Sequence, residues 1–186
     1  MSGPAAPNAA MLVIGDEILS GRTKDKNIGF VAETLTDIGV DLLEVRIVGD
    51  VQDAIVEAVI ALSGRYDFVL TTGGIGPTHD DITADSIARA FDLPIDIDQR
   101  AVDMLMPYWA VRGIEPNEAR LRMARIPQGA RLIPNAVSAA PGFLVRNVFV
   151  MAGVPSIMQA MMDEGMTNTT EMTFIDLSQP VFHAPR

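Results

Sequence analysis

The chain has no cysteine among its 186 residues. A disulfide framework and a thiolate metal site are therefore excluded, and the absence suits a reducing compartment, so the expected location is cytoplasmic. Basic residues are scarce as well: 14 Lys and Arg stand against 24 Asp and Glu, a net charge of −10. Nucleic-acid binding depends on clustered cations that release condensed counterions, so no nucleic-acid partner is expected. No apolar run approaches the roughly 18 residues of a membrane span, and no membrane partner is expected either. Met1 to Ala10 lack the basic and apolar regions of a secretory signal and are expected to form a flexible leader. No internal repeat is present.

What the chain does contain is ordinary for a globular protein. Hydrophobic residues make up 48% and charged residues 20%, enough apolar surface for a core. The length suits one domain, expected over residues 11–164 and followed by an irregular tail over 165–186.

Hydrophobic periodicity divides that domain into alternating strands and helices. Met11 to Ile14 is a short apolar run that ends in Gly15-Asp16, the pattern of a buried strand feeding a loop. Ile28, Val31, Leu35 and Ile38 then recur at helical spacing up to Gly39. Val40 to Val48 reads as a second strand, and Val51 to Leu62 as a second helix that stops at Gly64. A third strand, Phe68 to Thr72, runs into a glycine-rich loop, after which Ala84, Ile87, Ala88 and Phe91 share one helix face. Two more helices are expected over Asp98 to Arg112 and Asn117 to Arg125, and strands over Arg131 to Ile133, Phe143 to Val145 and Val148 to Met151. Arg146-Asn147 reads as a hairpin turn. A last helix runs from Pro155 to about Glu164 with core-filling methionines, and one strand is expected in the tail at Met172 to Leu177. Such alternation implies a largely parallel sheet covered on both faces. Sheets of that kind take their ligands at the carboxyl ends of their strands.

The densest chemistry lies in Thr71-Thr72-Gly73-Gly74-Ile75-Gly76-Pro77-Thr78-His79-Asp80-Asp81. Three glycines between a strand and a helix let backbone N–H groups approach an anion, and the helix dipole favours negative charge there. The spacing matches neither the dinucleotide fingerprint nor a P-loop, and a plain tight turn is the structural alternative. Asp80 and Asp81 beside a phosphate would repel it unless a divalent cation lay between them, as Mg²⁺ does with one or two carboxylates. Helix N-capping is the alternative for Asp81, with Thr83 as competing cap. His79 is open to two readings, a ligand or proton carrier or an exposed spacer.

Five motifs in order carry a family resemblance: Gly15-Asp16-Glu17-Ile18-Leu19-Ser20-Gly21; Thr72 to Asp81; Ala124-Arg125-Ile126-Pro127 with Ile133-Pro134-Asn135; Ala140-Pro141-Gly142-Phe143; and Gly153-Val154-Pro155. Over about Leu12 to Met162 the chain resembles the CinA N-terminal type of the molybdopterin-binding (MoaB/Mog) superfamily. The resemblance implies an α/β fold, a three-layer α/β/α sandwich around a mostly parallel mixed sheet. It implies a small phosphorylated ligand, molybdopterin or its adenylylated form in the superfamily at large. The CinA branch resembles metal-dependent ADP-ribose pyrophosphatases, which need a divalent metal such as Mg²⁺ or Co²⁺. The expected function is therefore metal-dependent hydrolysis of a pyrophosphate-containing nucleotide such as ADP-ribose, and the alternative is molybdopterin binding in cofactor biosynthesis without hydrolysis.

By position, the resemblance puts Gly73, Gly74, Gly76 and Thr78 on the phosphate, with Asp81 and Asp50 as the catalytic acids. Asp81, Asp80, Asp50 and Glu17 form the expected metal set, with Asp16 on the same edge, and a solvated loop charge or backbone partner is the alternative for Glu17. Asn27 falls next to the ligand, or else caps its helix, while Ser138 and Gly142 form a second wall of the pocket, or else a turn. Ala152 and Ile157 depart from the last motif, which usually carries a proline and an acid there, and this weakens a catalytic role for that helix. No amidase region of the kind found in full CinA proteins accompanies the motifs, so that activity is not inferred. Relatives assemble as dimers or trimers, and the large apolar residues of Met104 to Trp109, placed between two helices, are the expected contact of a homo-oligomer, or else pack inside the chain.

Overall fold

The computed structural model describes residues 6–167. Its first half alternates β1 (Asn8–Ile14), a one-turn α1 (Asp16–Leu19), α2 (Asn27–Asp37), β2 (Asp41–Val48), α3 (Gln52–Ser63), β3 (Phe68–Thr72) and α4 (Thr83–Ala90). The second half continues with β4 (Ile95–Ile97), α5 (Gln99–Val111), α6 (Glu118–Leu121), a 3-10 turn (Arg122–Ala124), β5 (Arg125–Pro127), β6 (Arg131–Ile133), β7 (Gly142–Val145), β8 (Val148–Met151) and α7 (Pro155–Thr167).

β1 is buried from Ala9 onward because its alternate residues serve two cores. Ala10, Leu12 and Ile14 pack with α3, α4 and α5; Ala9, Met11 and Val13 pack with α2 and α7. A strand covered on both faces has to be apolar throughout, and this one sits inside a six-stranded sheet of order β2-β1-β3-β8-β7-β6. The first four strands of that order are parallel, and β7 runs against both of its neighbours. Two helical layers around a mostly parallel mixed sheet give the three-layer α/β/α fold. Met158, Met161 and Met162 of α7 are buried in the second core, filling it as their helical spacing suggested. No helix among the described residues is long and apolar enough to cross a membrane.

Several expectations are corrected. The first strand starts at Asn8, not Met11, so the last residues of the supposed leader belong to the sheet. Asn8 and Asp67 exchange hydrogen bonds, and the Asp41 N–H reaches the Pro7 carbonyl, so pairing with neighbours extends a strand that Ala9 and Ala10 signal poorly by themselves. The helix expected over Asn117 to Arg125 is one turn, a 3-10 turn and the start of β5. Pro127 disfavours helix at the residue before it, and β5 pairs with β4, Ile97 opposite Arg125. The loop expected after the first strand contains α1. The tail strand expected at Met172 to Leu177 lies outside the described residues.

Met104 to Trp109 does not lie between helices. It is the middle of α5, where Leu105 and Trp109 turn into the core and Met106 remains exposed. Two of the six residues expected at an oligomer contact thus pack within their own chain. Leu105→Ala is expected to lower the unfolding free energy by about 2–5 kcal/mol. Met106→Gln should change it by about 0.5 kcal/mol or less. Urea denaturation of the two variants measures both effects.

Candidate functional site

In open parallel sheets the ligand crevice opens where neighbouring strands send their chains in opposite directions. Here that point lies between β1, which leads to β2 on one side, and β3, which leads toward β8 on the other. The carboxyl ends of these strands are packed very closely. A Cβ on Gly73 would overlap the Ile14 carbonyl oxygen, and Gly73 has φ +105°, a value that side chains resist. The Gly73 N–H donates to the Met151 carbonyl of β8 (3.1 Å), and a Cβ on Gly153 would come within 3.2 Å of the Gly73 Cα.

The loop that leaves this junction is pinned at both sides. The Thr83 hydroxyl donates to the Gly73 carbonyl (2.9 Å), and the Thr83 N–H to the Gly74 carbonyl (3.0 Å). Neither Thr83 nor Asp81 caps α4, whose N-cap position is Ile82 with no side-chain bond. Asp81 instead latches the loop: its Oδ2 accepts from the Thr78 N–H (2.8 Å) and the Thr78 hydroxyl (2.6 Å). Between these pins the N–H groups of Gly74, Ile75 and Gly76 make no hydrogen bond among the described residues. They are the free donors of the loop.

A small open cleft lies against them. Gly74, Ile75, Gly76 and Asp81 form one wall, Asp85 of α4 and the segment Arg122 to Ile126 another, and Pro141 with Phe143 a third. Asp85 and Arg125 are joined by an ion pair of 2.5 Å, which holds the Arg125 pKa above its ordinary value. Arg122 also lines the cleft, and its buried Nε has no partner among the described residues.

A second group lies at the ends of β1 and β2. Asp50 accepts from the Asp16 N–H (2.9 Å) and Asp16 from the Asp50 N–H (3.3 Å). Partial burial raises the Asp50 pKa above 3.8, against the backbone bond that lowers it, and the nearby charges of Asp16, Glu17 and Asp80 add to the rise. Asp80 itself pairs with exposed His79 (2.9 Å). Among the described residues no three acidic or histidine side chains stand close enough to hold an ion by themselves.

Of the residues read from sequence, Gly74, Gly76 and Asp81 line the cleft, while Asp50, Glu17 and Asp80 belong to the acidic group beside it. Gly73 is buried behind the loop, and Thr78 is bound to Asp81. Asn27 does not cap its helix, since Asp25 does so by accepting from the Asn27 and Ile28 N–H groups. Its Nδ2 donates to the Gly153 carbonyl (2.9 Å), and its buried Oδ1 has no partner. Gly142 is buried in β7, where a Cβ would overlap the Val150 carbonyl oxygen, and Pro141 reaches the cleft in its place. Ser138 accepts from Asn135 Nδ2 (2.5 Å), and Asn135 Oδ1 accepts from the Val137 and Ser138 N–H groups, so Asn135 organises that loop.

The sequence reading missed Arg122, Arg125, Asp85 and Asn135 as site-forming residues. Two arginines three apart in an acid-rich chain, the second inside a quoted motif, were the available signal.

A parallel sheet whose strand ends present unpaired amides to an open cleft defines an α/β domain built to hold an anionic ligand. Residues 10–170 match the family model described as probable molybdopterin binding domain. A protein of Caldivirga maquilingensis is 36% identical over 162 residues, 85% of this chain and 63% of its own length. The CinA-like protein of Myxococcus xanthus is 35% identical over 157 residues, 82% of this chain and 37% of its own length. The chain thus spans less than two thirds of these relatives. The crystal structure of CinA from Thermoplasma acidophilum aligns with a TM-score of 0.78 at 34% identity, covering 87% of this chain and 96% of that one. MoaB of Thermus thermophilus, with a TM-score of 0.54 and 14% identity over 86% of this chain and 89% of its own, shares the fold. The chain belongs to the molybdopterin-binding (MoaB/Mog) superfamily, in its CinA N-terminal branch.

The raised Asp50 pKa has a consequence for stability. The folded state binds this proton more tightly than the unfolded chain does, so Asp50 weakens folding as pH rises through the interval between 3.8 and its folded value. Asp50→Asn keeps an oxygen for the Asp16 N–H and removes the charge. In EDTA the variant should melt at a higher temperature than the wild type at pH 7. That gain should vanish as pH falls below about 4, which calorimetry across pH will read.

Proposed function

We propose that this domain holds a small phosphorylated ligand on the Gly74 to Gly76 amides and, with a divalent cation, hydrolyses a pyrophosphate-containing nucleotide such as ADP-ribose. The observation that carries the reading is three unpaired amides at the strand ends together with a carboxylate group at the ends of β1 and β2, where Asp50 feels Asp16, Glu17 and Asp80. Amides fixed before the ligand arrives stabilise charge that develops on phosphoryl oxygens without having to reorganise.

Asp16, Glu17, Asp50 and Asp80 crowd one another, and a divalent charge relieves such crowding. Mg²⁺ is commonly bound through one or two carboxylates plus substrate phosphates; the described residues form no ready-made three-ligand set, so a cation at Asp50 or Asp80 would need the ligand's own oxygens to complete its shell, with Glu17 and Asp81 as further candidates. Magnesium or cobalt bound there would supply Lewis acidity toward the phosphoryl oxygens. Asp81 lines the cleft beside the amides, its Oδ2 held by Thr78, and in this reading it would act on the phosphoryl group or with the cation.

A second reading is pterin phosphate binding without turnover, as the family description suggests. The apolar side chains of Ile75, Met123, Pro141 and Phe143 suit a flat ring as well as a nucleotide.

AMP release from ADP-ribose in Mg²⁺ or Co²⁺ is the expected result. Tight calorimetric binding of a pterin phosphate with no AMP under any metal would select the second reading. Asp81→Asn retains an oxygen acceptor for Thr78 while removing the charge. The rate should fall by about a hundredfold or more at saturating metal, with the melting temperature little changed. A near-wild-type rate would overturn the assignment of Asp81.

A further inference from the structure

We propose that Arg122 is the anchor for the ligand's pyrophosphate, closing from the 3-10 turn the site that the Gly74 to Gly76 amides open from the loop. The inference rests on the cleft being the ligand site, and it assigns the cation that the ligand meets there.

In a chain of net charge −10, two guanidinium groups line this one cleft. They are not equivalent. Arg125 is paired with Asp85 at 2.5 Å, and the pair cancels the one carboxylate that α4 presents. The other acid in the cleft, Asp81, takes two hydrogen bonds from Thr78. The Arg122 side chain has no ion pair and no hydrogen bond among the described residues, and its Nε is buried without a partner. A buried donor on a charged group is costly to leave unpaired, so this is a donor set ready for an incoming acceptor.

The chemistry of that acceptor follows from the surroundings. A guanidinium is a planar fork that pairs with two oxygens at once, and phosphate matches its geometry. Met123, Phe143 and Pro141 reduce access of water to the pair and strengthen it. The acidic group at the ends of β1 and β2 lies outside this cleft, so the ligand has a polarity: its pyrophosphate toward Arg122, its cation toward Asp50. Pyrophosphate offers one phosphoryl group to the fork and another to the amides, whereas a single phosphate brings fewer oxygens to share between them. Pyrophosphate should therefore bind more tightly than phosphate.

Titration calorimetry with inorganic pyrophosphate, inorganic phosphate and ADP-ribose tests this on the wild type, Arg122→Gln, Arg122→Lys and Arg65→Gln. Arg65 is a control near the opposite end of β3, where it bonds Glu44. Loss of one charge-assisted pairing should weaken pyrophosphate binding by about ten- to a hundredfold in Arg122→Gln. Arg122→Lys should recover part of that loss, and Arg65→Gln should keep wild-type affinity. The Arg122→Gln variant should also show a flatter salt dependence, a change that misfolding does not produce. In the unaltered protein, saturating pyrophosphate should slow phenylglyoxal modification of Arg122 as read by mass spectrometry. Wild-type affinity in Arg122→Gln, or an unprotected Arg122 in the bound protein, overturns the anchor and leaves the ligand site standing. A wild type that binds none of the three ligands overturns both.

Discussion

Everything at the ligand end of this domain depends on the contact between Gly73 and the Ile14 carbonyl. β1 and β3 end so close together that no side-chain carbon fits between them, and β8 joins the junction through Met151 and Gly153. A residue other than glycine would have to push two central strands apart, and those strands are paired along most of their length. The positive φ at Gly73 and Gly74 then turns the chain sharply out of the sheet. Because the turn is fixed from behind by Thr83 and from the front by Asp81, the amides between them stay free of internal partners. The same glycines that look like ligand contacts in the sequence thus divide into two kinds. Gly73 is consumed by packing, and Gly74 and Gly76 border the cleft.

Charge is arranged around that junction in two groups. Toward β1 and β2 the carboxylates accumulate, and partial burial of Asp50 amplifies their mutual repulsion. Toward α4 and the 3-10 turn, Asp85 is cancelled by Arg125. An acidic protein in this way keeps a cleft in which an anion is not repelled. Both readings of the ligand, a nucleotide pyrophosphate and a pterin phosphate, use this same arrangement. What separates them is whether a cation is recruited from the acidic side.

Most of the fold was legible along the chain. Apolar runs located β1 and β3, which are buried on both faces, and alternating or helical spacings located α2, β2 and α3, which bury one face, all within a few residues. The same signal failed in the second half for identifiable reasons. Asn117 to Arg125 has the composition of a helix, yet β4 offers its final residues a strand partner and Pro127 forbids a helical Ile126. Met104 to Trp109 is dense in large apolar residues, the mark of a contact surface, whereas α5 turns Leu105 and Trp109 inward. The candidate site was read in part. Gly74, Gly76 and Asp81 stand where the loop motif implied, but Asp81 latches Thr78, and Asn27 braces Gly153 in place of capping its own helix.

By itself the sequence determined the alternation of elements, the apolar strand with two covered faces and the glycine loop after β3, since these rest on local conformational preference and spacing. Only the tertiary structure decided which charges meet. Arg125 and Asp85 are 40 residues apart, and Asp16 and Asp50 are separated by 34. Electrostatic energy depends on distance in space and on exclusion of water, neither of which is written in the order of residues. For the same reason the unpartnered Nε of Arg122 becomes visible only when the chain has closed around it.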